Sequence, residues 1–336
     1  MRARLKDVAA RAGVSLKTVS NVVHGYPYVT EETRARVQAA IEELNYRPNL
    51  SARSLRNGRS GILALALPRL DEPYFAELAS WVIKAAEERS CTVLIDQTEG
   101  LRERELLAIG GIRPHLIDGL ILSPLALGRD DLAQRSDTTP LVLLGERVFA
   151  GPADHVAIDN VAAARLATGH LLGLGRRRVA AVGAQSGETG QTGRLRLQGY
   201  REALVSAGIE PDPALVAPVP AFRRTEGAAA VAELLDRGAR PDALFCFNDL
   251  LALGALRVLF ERGLRVPDDV AVVGFDDIEE GRFSTPTLTT VAPDKPQIAR
   301  EAVDALLARI GSRDAGPPRE VRAEVTLQVR ESTAGR

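Results

Sequence analysis

The sequence predicts an α/β protein: a small helical head, a short hinge, and a body of two doubly wound parallel sheets. Two observations predict the body. Short, wholly apolar runs alternate with amphipathic stretches from Gly61 onward, and the alternation runs through two successive series. Continuous apolar strands separated by helices mean parallel sheets covered on both faces. A third observation predicts the head: residues 1–60 contain 11 Lys+Arg against 5 Asp+Glu and hold three short helical patterns. At 336 residues the chain is too long for one typical core and suits two or three domains.

The head begins with Lys6-Asp7-Val8-Ala9-Ala10-Arg11-Ala12, a short helix with Val8, Ala9 and Ala12 on one side. Gly13 is suited to end it in a left-handed turn. Ser15 can cap a second helix from Leu16 to about Val23. Val19, Val22 and Val23 give that helix an apolar face, with Leu16, Lys17, Ser20 and Asn21 on or near the other side. Two short helices across a tight turn form a helix-turn-helix, whose second helix offers its N-terminal residues to base edges in a major groove. Ser15, Thr18 and Ser20 are further polar candidates at that surface. A third helix follows Thr30, with Glu31 and Glu32 in its first turn, where the helix dipole favours acids. Its Val37, Ala40, Ile41 and Leu44 would close a three-helix core.

Pro48 ends the third helix, and Asn49 can cap another of about two turns through Leu55. So short a helix is marginal in water until something orders it. Arg53, Arg56 and Arg59 give the segment phosphate-seeking charge, and Leu55 could wedge between base steps in a minor groove. A basic interdomain linker is the plainer reading of the same residues.

The stretches "LKDVAARAGVSLKTVSNVVHG", "YVTEETRARVQAAIEELNYRPN" and "ARSL" together resemble the head and hinge of the lactose-repressor/galactose-repressor (LacI/GalR) family, and the likeness runs through the whole chain. The resemblance implies a DNA-binding regulator with a two-lobed, periplasmic-binding-protein-like core and an effector between the lobes. It implies base reading by Leu16, Lys17 and Asn21, and insertion of Leu55 into a minor groove from paired hinge helices; Asn49, Arg53 and Arg56 are further candidates for DNA contact in the hinge. Lys17 can donate to guanine, Asn21 can donate and accept, and Leu16 offers only apolar contact. With so modest a polar set, shape and kinking should carry much of the specificity.

The body opens with strands at 62–67, 91–96, 119–122 and 141–144, with helices over 73–88 and around Arg102–Ile109. A second series starts with a helix after Asp159-Asn160. Strand 179–182, helix 194–207, strand 215–219, helix 225–237, strand 243–247, helix 249–262 and strand 270–275 follow. The expected organisation is a head over 1–47, a hinge over 48–60 and a core over 61–336. Within the core, the first lobe takes about 61–159 plus 293–320, and the second about 160–292 plus 321–330. Ligand sites belong beyond the carboxyl ends of such strands, in the cleft between lobes.

That cleft shows little catalytic chemistry. The four histidines have no HxxxH-type pairing, and no G-x-S-x-G elbow occurs. "GETGQTG" (187–193) lacks the Lys-Ser/Thr of a phosphate-binding loop and reads as a mobile cleft loop. Asp276-Asp277 could hold a metal or act as an acid/base pair, but no partner base is evident. Neither an enzyme nor a metal or other cofactor is expected.

The strand-end polar residues instead suit a small polyol, and the resemblance places the effector contacts on Tyr74, Phe75, Arg196, Phe222, Asn248 and Asp276. Carboxylates and amides serve vicinal hydroxyls, and an aromatic face covers a ring. Arg196 stands out because a basic residue near a helix start is unfavourable unless something uses it. Asn248 and Asp249 could alternatively cap the helix that begins there, with Asp249 the better placed. Some relatives carry a ligand-binding aspartate after the fourth strand. Here Gly145 cannot serve, so Glu146 joins the expected site, with Arg147 as its alternative.

Cys91 and Cys246 sit singly in apolar runs and read as buried thiols of a reducing compartment. No apolar run approaches the ~20 residues that span a bilayer, and the N-terminus lacks a secretory core. A cytoplasmic location is expected. The partners expected are double-stranded, pseudo-palindromic operator DNA, a small-molecule effector such as a sugar, and a second copy of the chain. Because no leucine heptads precede the end, a dimer is expected rather than a tetramer. The rival readings are a purine- or other corepressor-dependent regulator and a solute-binding protein of the same two-lobed shape.

Overall fold

The computed structural model describes residues 3–23, 26–46, 59–111, 116–187, 189–312 and 316–335. The chain divides into two compact units, residues 1–60 and 61–336.

In the first unit, helices α1 (Leu5–Ala12), α2 (Leu16–Val23) and α3 (Glu31–Glu43) close on one small core. Val8, Ala9, Ala12, Val19, Val22, Val37 and Ala40 are buried in it. Gly13 ends α1 at φ 65°, a left-handed turn that a Cβ would strain. The Ser15 hydroxyl accepts from the Thr18 amide at 3.1 Å and starts α2, and Thr30 does the same for α3 through Thr33. Asn49, Arg53, Leu55 and Arg56 lie outside the described residues, as does the expected hinge helix.

The second unit holds two six-stranded sheets. The first has the order β11-β5-β4-β3-β1-β2, built from β1 (Ile62–Leu67), β2 (Thr92–Gln97), β3 (Gly119–Leu122), β4 (Leu141–Leu144), β5 (Asp154–Ile158) and β11 (Glu320–Ala323). The second repeats the pattern as β12-β10-β9-β8-β6-β7, from β6 (Val179–Ala184), β7 (Val216–Pro218), β8 (Ala243–Cys246), β9 (Ala271–Phe275), β10 (Thr289–Pro293) and β12 (Val325–Gln328). Every pairing is parallel except β10 with β12. The inner strands β3, β4, β8 and β9 are buried at every residue, as apolar runs covered on both faces require. In each sheet the strand order reverses beside the first strand, at β1/β3 and β6/β8, and such switch points open crevices at the strands' carboxyl ends.

The helices of this unit are α4 (Pro73–Glu87), α5 (Arg102–Ile109), α6 (Arg129–Ala133), α7 (Asn160–Gly173), α8 (Gln191–Ser206), α9 (Arg224–Asp236), α10 (Asp249–Glu261), α11 (Glu279–Phe283), α12 (Lys295–Gly311) and α13 (Glu331–Ala334). The chain crosses between sheets three times, after β5, after β10 and between β11 and β12. Two expected boundaries therefore move. Residues 321–323 belong to the first sheet, because β11 pairs in parallel with β5, so the last crossover falls at Glu324. Pro293 belongs to the second sheet, pairing with Val325.

Three local expectations are also corrected. Gln191, Thr192 and Gly193 form the first turn of α8 rather than a loop. Asn248, not Asp249, caps α10, its side chain accepting from the Leu251 amide at 2.9 Å. Cys246 is buried, whereas Cys91 is only half-buried, because it lies at the exposed entry to the edge strand β2.

Candidate functional site: a reading face and an interlobe cleft

On the head, the exposed side of α2 carries Leu16, 51% accessible, with exposed Lys17 beside it and half-buried Thr18 and Asn21. Ser15 is exposed and spends its hydroxyl on Thr18. Ser20 does not belong to this surface. Its side chain is buried with Val19 and Val22, because position 20 has turned past the helix's polar edge. Apolar periodicity hid this, since a small serine fits a three-helix core as readily as an alanine. Tyr26 and Tyr28 were not anticipated. Both are exposed, they pack edge to face with ring centroids 5.7 Å apart, and Arg34 donates to the Tyr26 carbonyl at 3.0 Å. Two tyrosines in a loop with no core to join was the available signal.

In the second unit, residues from the carboxyl ends of both sheets line one cleft of about 440 Å³. It contains all seven expected effector residues: Tyr74, Phe75, Glu146, Arg196, Phe222, Asn248 and Asp276. Tyr74 and Phe75 open α4 and meet edge to face at 5.3 Å. Burial and the nearby Asp276 carboxylate push the Tyr74 hydroxyl's pKa upward, so it is a neutral donor.

Arg196 lies in the second turn of α8 and is only 5% exposed. Its guanidinium lies over the Phe275 ring, 3.5 Å from the centroid. Nε donates to Asn160 Oδ1 at 2.8 Å, Nη1 donates to the Phe247 carbonyl, and Nη2 stands 3.9 Å from Asp276 Oδ1. Burial lowers its pKa from the usual guanidinium range, yet an arginine stays charged.

Asp276 follows β9 with φ 111°, a conformation side chains rarely adopt. Among the described residues no group donates a hydrogen bond to its carboxylate, although the residue is buried. Burial pushes this carboxyl up to about 7; Arg196 and Lys295 pull the other way, while Glu146 and Glu72 add to the rise. Its neighbour Asp277 is held below the usual carboxylate range by Arg330 and Arg282, despite part burial. Asn248 caps α10 with its oxygen and donates from Nδ2 to the Phe222 carbonyl at 3.3 Å, which fixes that aromatic wall. Asp249 turns away from the cleft, accepting from Ile278 N and Thr290 Oγ1.

Glu146 and Arg147 divide the work at the fourth strand's end. Glu146 accepts from Asn160 Nδ2 at 2.7 Å and Thr192 Oγ1 at 2.9 Å, both on second-sheet helices. Arg147 points to the carbonyls of Leu127 and Ala126, whose amides are held from the other side by buried Glu105. Arg147 thus shapes the 125–127 loop, and Glu146 is the residue in the cleft. A continuous polar chain runs Glu146–Asn160–Arg196–Asp276 across the lobe boundary. Asn160 was read only as a helix start.

Residues 4–49 match the family of bacterial regulatory proteins of the lacI type, and residues 168–333 match a periplasmic binding protein-like domain. The ribose operon repressor of Escherichia coli K12 is 35% identical over 311 residues, 92% of this chain and 93% of its own. The transcriptional regulator CelR of Thermobifida fusca is 39% identical over 341 residues, covering 98% of each chain. The chain belongs to the LacI family. Among solved structures, a CelR–cellobiose complex is similar with a TM-score of 0.72 and 37% identity, over 98% of this chain and 100% of that one. The lac repressor dimer bound to operator and the anti-inducer ONPF is similar with a TM-score of 0.85 and 28% identity, over 99% and 100%. This LacI-family member is therefore a DNA-binding transcriptional regulator of the repressor type, with a helix-turn-helix head and a two-lobed core.

Proposed function

We propose that this regulator binds a pseudo-palindromic operator as a homodimer in the bacterial cytoplasm, and that a small neutral sugar in the interlobe cleft releases it. One observation carries the effector class. Asp276 presents a buried carboxylate to the cleft with no hydrogen-bond donor supplied by the protein, beside a guanidinium that still has N–H groups to give. Vicinal hydroxyls satisfy both, while Tyr74, Phe75 and Phe222 cover the carbon face of a ring. An anionic effector would add charge beside Asp276, Glu146 and Glu72, which also line the cleft. The relatives support the reading, since one is named for the ribose operon and another is solved with cellobiose. The operator-bound lac repressor supports the dimer.

The family resemblance gives Leu16, Lys17 and Asn21 the base edges and Leu55 the minor groove; Ser15 and Thr18 beside the first set, and Asn49, Arg53 and Arg56 in the hinge, supply further DNA contacts. A sugar acts only through its different affinity for the two lobe arrangements. The hinge leaves the core at Gly61, whose amide donates to Asp118 at 2.7 Å. Lobe closure then changes the spacing of the two hinge exits in a dimer.

The test is a thermal-shift screen of ribose, cellobiose, other neutral mono- and disaccharides, glucose 6-phosphate and purine bases, because ligand binding raises apparent stability by mass action. A neutral sugar should raise the melting temperature and weaken operator binding, and Arg196→Ala should abolish both responses. Stabilisation by the phosphorylated sugar or by purines alone would overturn the effector reading.

A further inference from the structure

Behind the cleft wall, outside the residues that line the cleft, lies a buried cation. Lys295 is the first residue of α12, two positions after the chain leaves β10, and only 6% exposed. Its ammonium donates to the Asp276 carbonyl at 2.6 Å and the Asp277 carbonyl at 3.1 Å, and pairs with Glu77 Oε2 at 2.6 Å. All three N–H bonds of the ammonium therefore have partners. The same nitrogen stands 5.8 Å from the centre of the Tyr74 ring.

These partners come from both lobes. Glu77 and Tyr74 lie on α4, which packs against α12 over the first sheet. Asp276 and Asp277 end β9 of the second sheet. The other Glu77 oxygen accepts from the Glu279 amide, the first residue of α11, at 3.1 Å. One ion pair, its lysine buried and its glutamate half-buried, thus grips the 276–279 loop at three backbone points. The loop needs gripping: Asp276 and Asp277 both have positive φ, 111° and 48°, and such strained conformations persist only where the surroundings impose them.

We propose that Lys295, with Glu77, is a positioning residue for effector binding. It holds the Asp276 backbone in the conformation that presents the carboxylate to the cleft, and it ties that loop to α4 of the opposite lobe. The inference rests on the reading of Asp276 as an effector contact. Pure stabilisation would need only the ion pair; the two carbonyl contacts make the difference, because they act on the residue that faces the ligand.

The test uses the full chain and the sugar that most strongly stabilises the unsubstituted protein in the screen above, with Lys295→Met and Glu77→Gln as variants. Lys295→Met removes the donor to the Asp276 and Asp277 carbonyls, whereas Glu77→Gln keeps an acceptor for the Glu279 amide. Lys295→Met should weaken sugar binding at least tenfold, and Glu77→Gln by less than threefold. A ligand-free measurement runs in parallel. Hydrogen exchange at the amides of 276–279 should accelerate at least tenfold in Lys295→Met, while strands β6 and β8 of the same lobe keep their protection. Unchanged exchange at 276–279, or a fall in melting temperature with sugar affinity intact, would overturn the positioning role. If no sugar stabilises the unsubstituted protein, the effector reading fails there, and the exchange arm alone decides whether Lys295 holds the loop.

Discussion

At the scale of single residues, Asp276 concentrates the chemistry of the cleft. Its carboxyl is raised from the usual aspartate range to about 7, first by burial. Arg196 and Lys295 oppose the rise, Glu146 and Glu72 reinforce it, and Asp249, itself raised by burial, lies close enough to feel its charge. Without ligand, the folded protein therefore holds this proton to a higher pH than the unfolded chain, and the group's contribution to stability is lost as pH rises from about 4 to about 7. A sugar reverses the preference, because its hydroxyls donate to the ionised form. Binding then releases a proton, and affinity should rise by up to about tenfold per pH unit below the carboxyl's pKa, levelling above it. Calorimetric titration at pH 6, 7 and 8 checks this, and Asp276→Asn should remove the pH dependence. An affinity flat over that range in the unsubstituted protein would overturn the coupling of the Asp276 proton to sugar binding. Much of this residue-level picture was legible in the sequence, since Arg196, Asn248 and Asp276 stand out as polar residues at strand or helix ends. Ser20, Lys295 and the capping choice between Asn248 and Asp249 were not. Each depends on which way one side chain turns: Ser20 sits at the polar edge of a short helix, and Lys295, Asn248 and Asp249 at helix starts, where periodicity carries no such information.

At the scale of elements, α9 and α10 show how the second lobe is assembled. A Cβ on Gly254 of α10 would lie 2.0 Å from the Arg224 carbonyl, and one on Gly227 of α9 would lie 2.3 Å from that of Leu251. The helices meet backbone to backbone, with a glycine from each at the contact. In an exposed helix, replacing glycine by alanine gains up to about 1 kcal/mol. At Gly254 the sign should reverse, with a net loss of about 1–3 kcal/mol from overpacking, because backbone rather than a flexible side chain stands in the way. Denaturant melts of Gly254→Ala read this directly, and an unchanged or higher midpoint would mean that the two helices can separate without cost. The βα alternation was legible over β1–β4 and β6–β9 because buried parallel strands are written as unbroken apolar runs, but β5 was missed, since Asp-His-Val-Ala-Ile opens on two polar residues. The returning elements were harder. β11 reads Glu-Val-Arg-Ala and β12 Val-Thr-Leu-Gln, edge strands with exposed positions, and nothing in either composition says which sheet it joins.

At the scale of the molecule, the net charge of −1 divides into +6 on residues 1–60 and −7 on the rest. A basic head gains from the polyanion, and an acidic body limits non-specific attachment elsewhere on it. The body also exposes large apolar side chains. Phe260 on α10 is 75% accessible and Phe283 at the end of α11 is 78% accessible. Phe260 borders a groove of about 560 Å³ with Leu256, Val266 and Pro286. Exposed apolar surface beside a groove marks interaction sites, and the proposed homodimer supplies an occupant for these two phenylalanines, a second copy of the chain. Phe260→Lys combined with Phe283→Lys should therefore give a folded monomer in sedimentation. Operator binding should fall at least about a hundredfold, because two linked half-site contacts gain that much over one by effective concentration alone. Sugar-induced thermal stabilisation should survive, since the cleft lies wholly within one chain. A double variant that remains dimeric would move the interface to another face, and one that loses sugar binding as well would mean that the cleft is completed only when two chains meet.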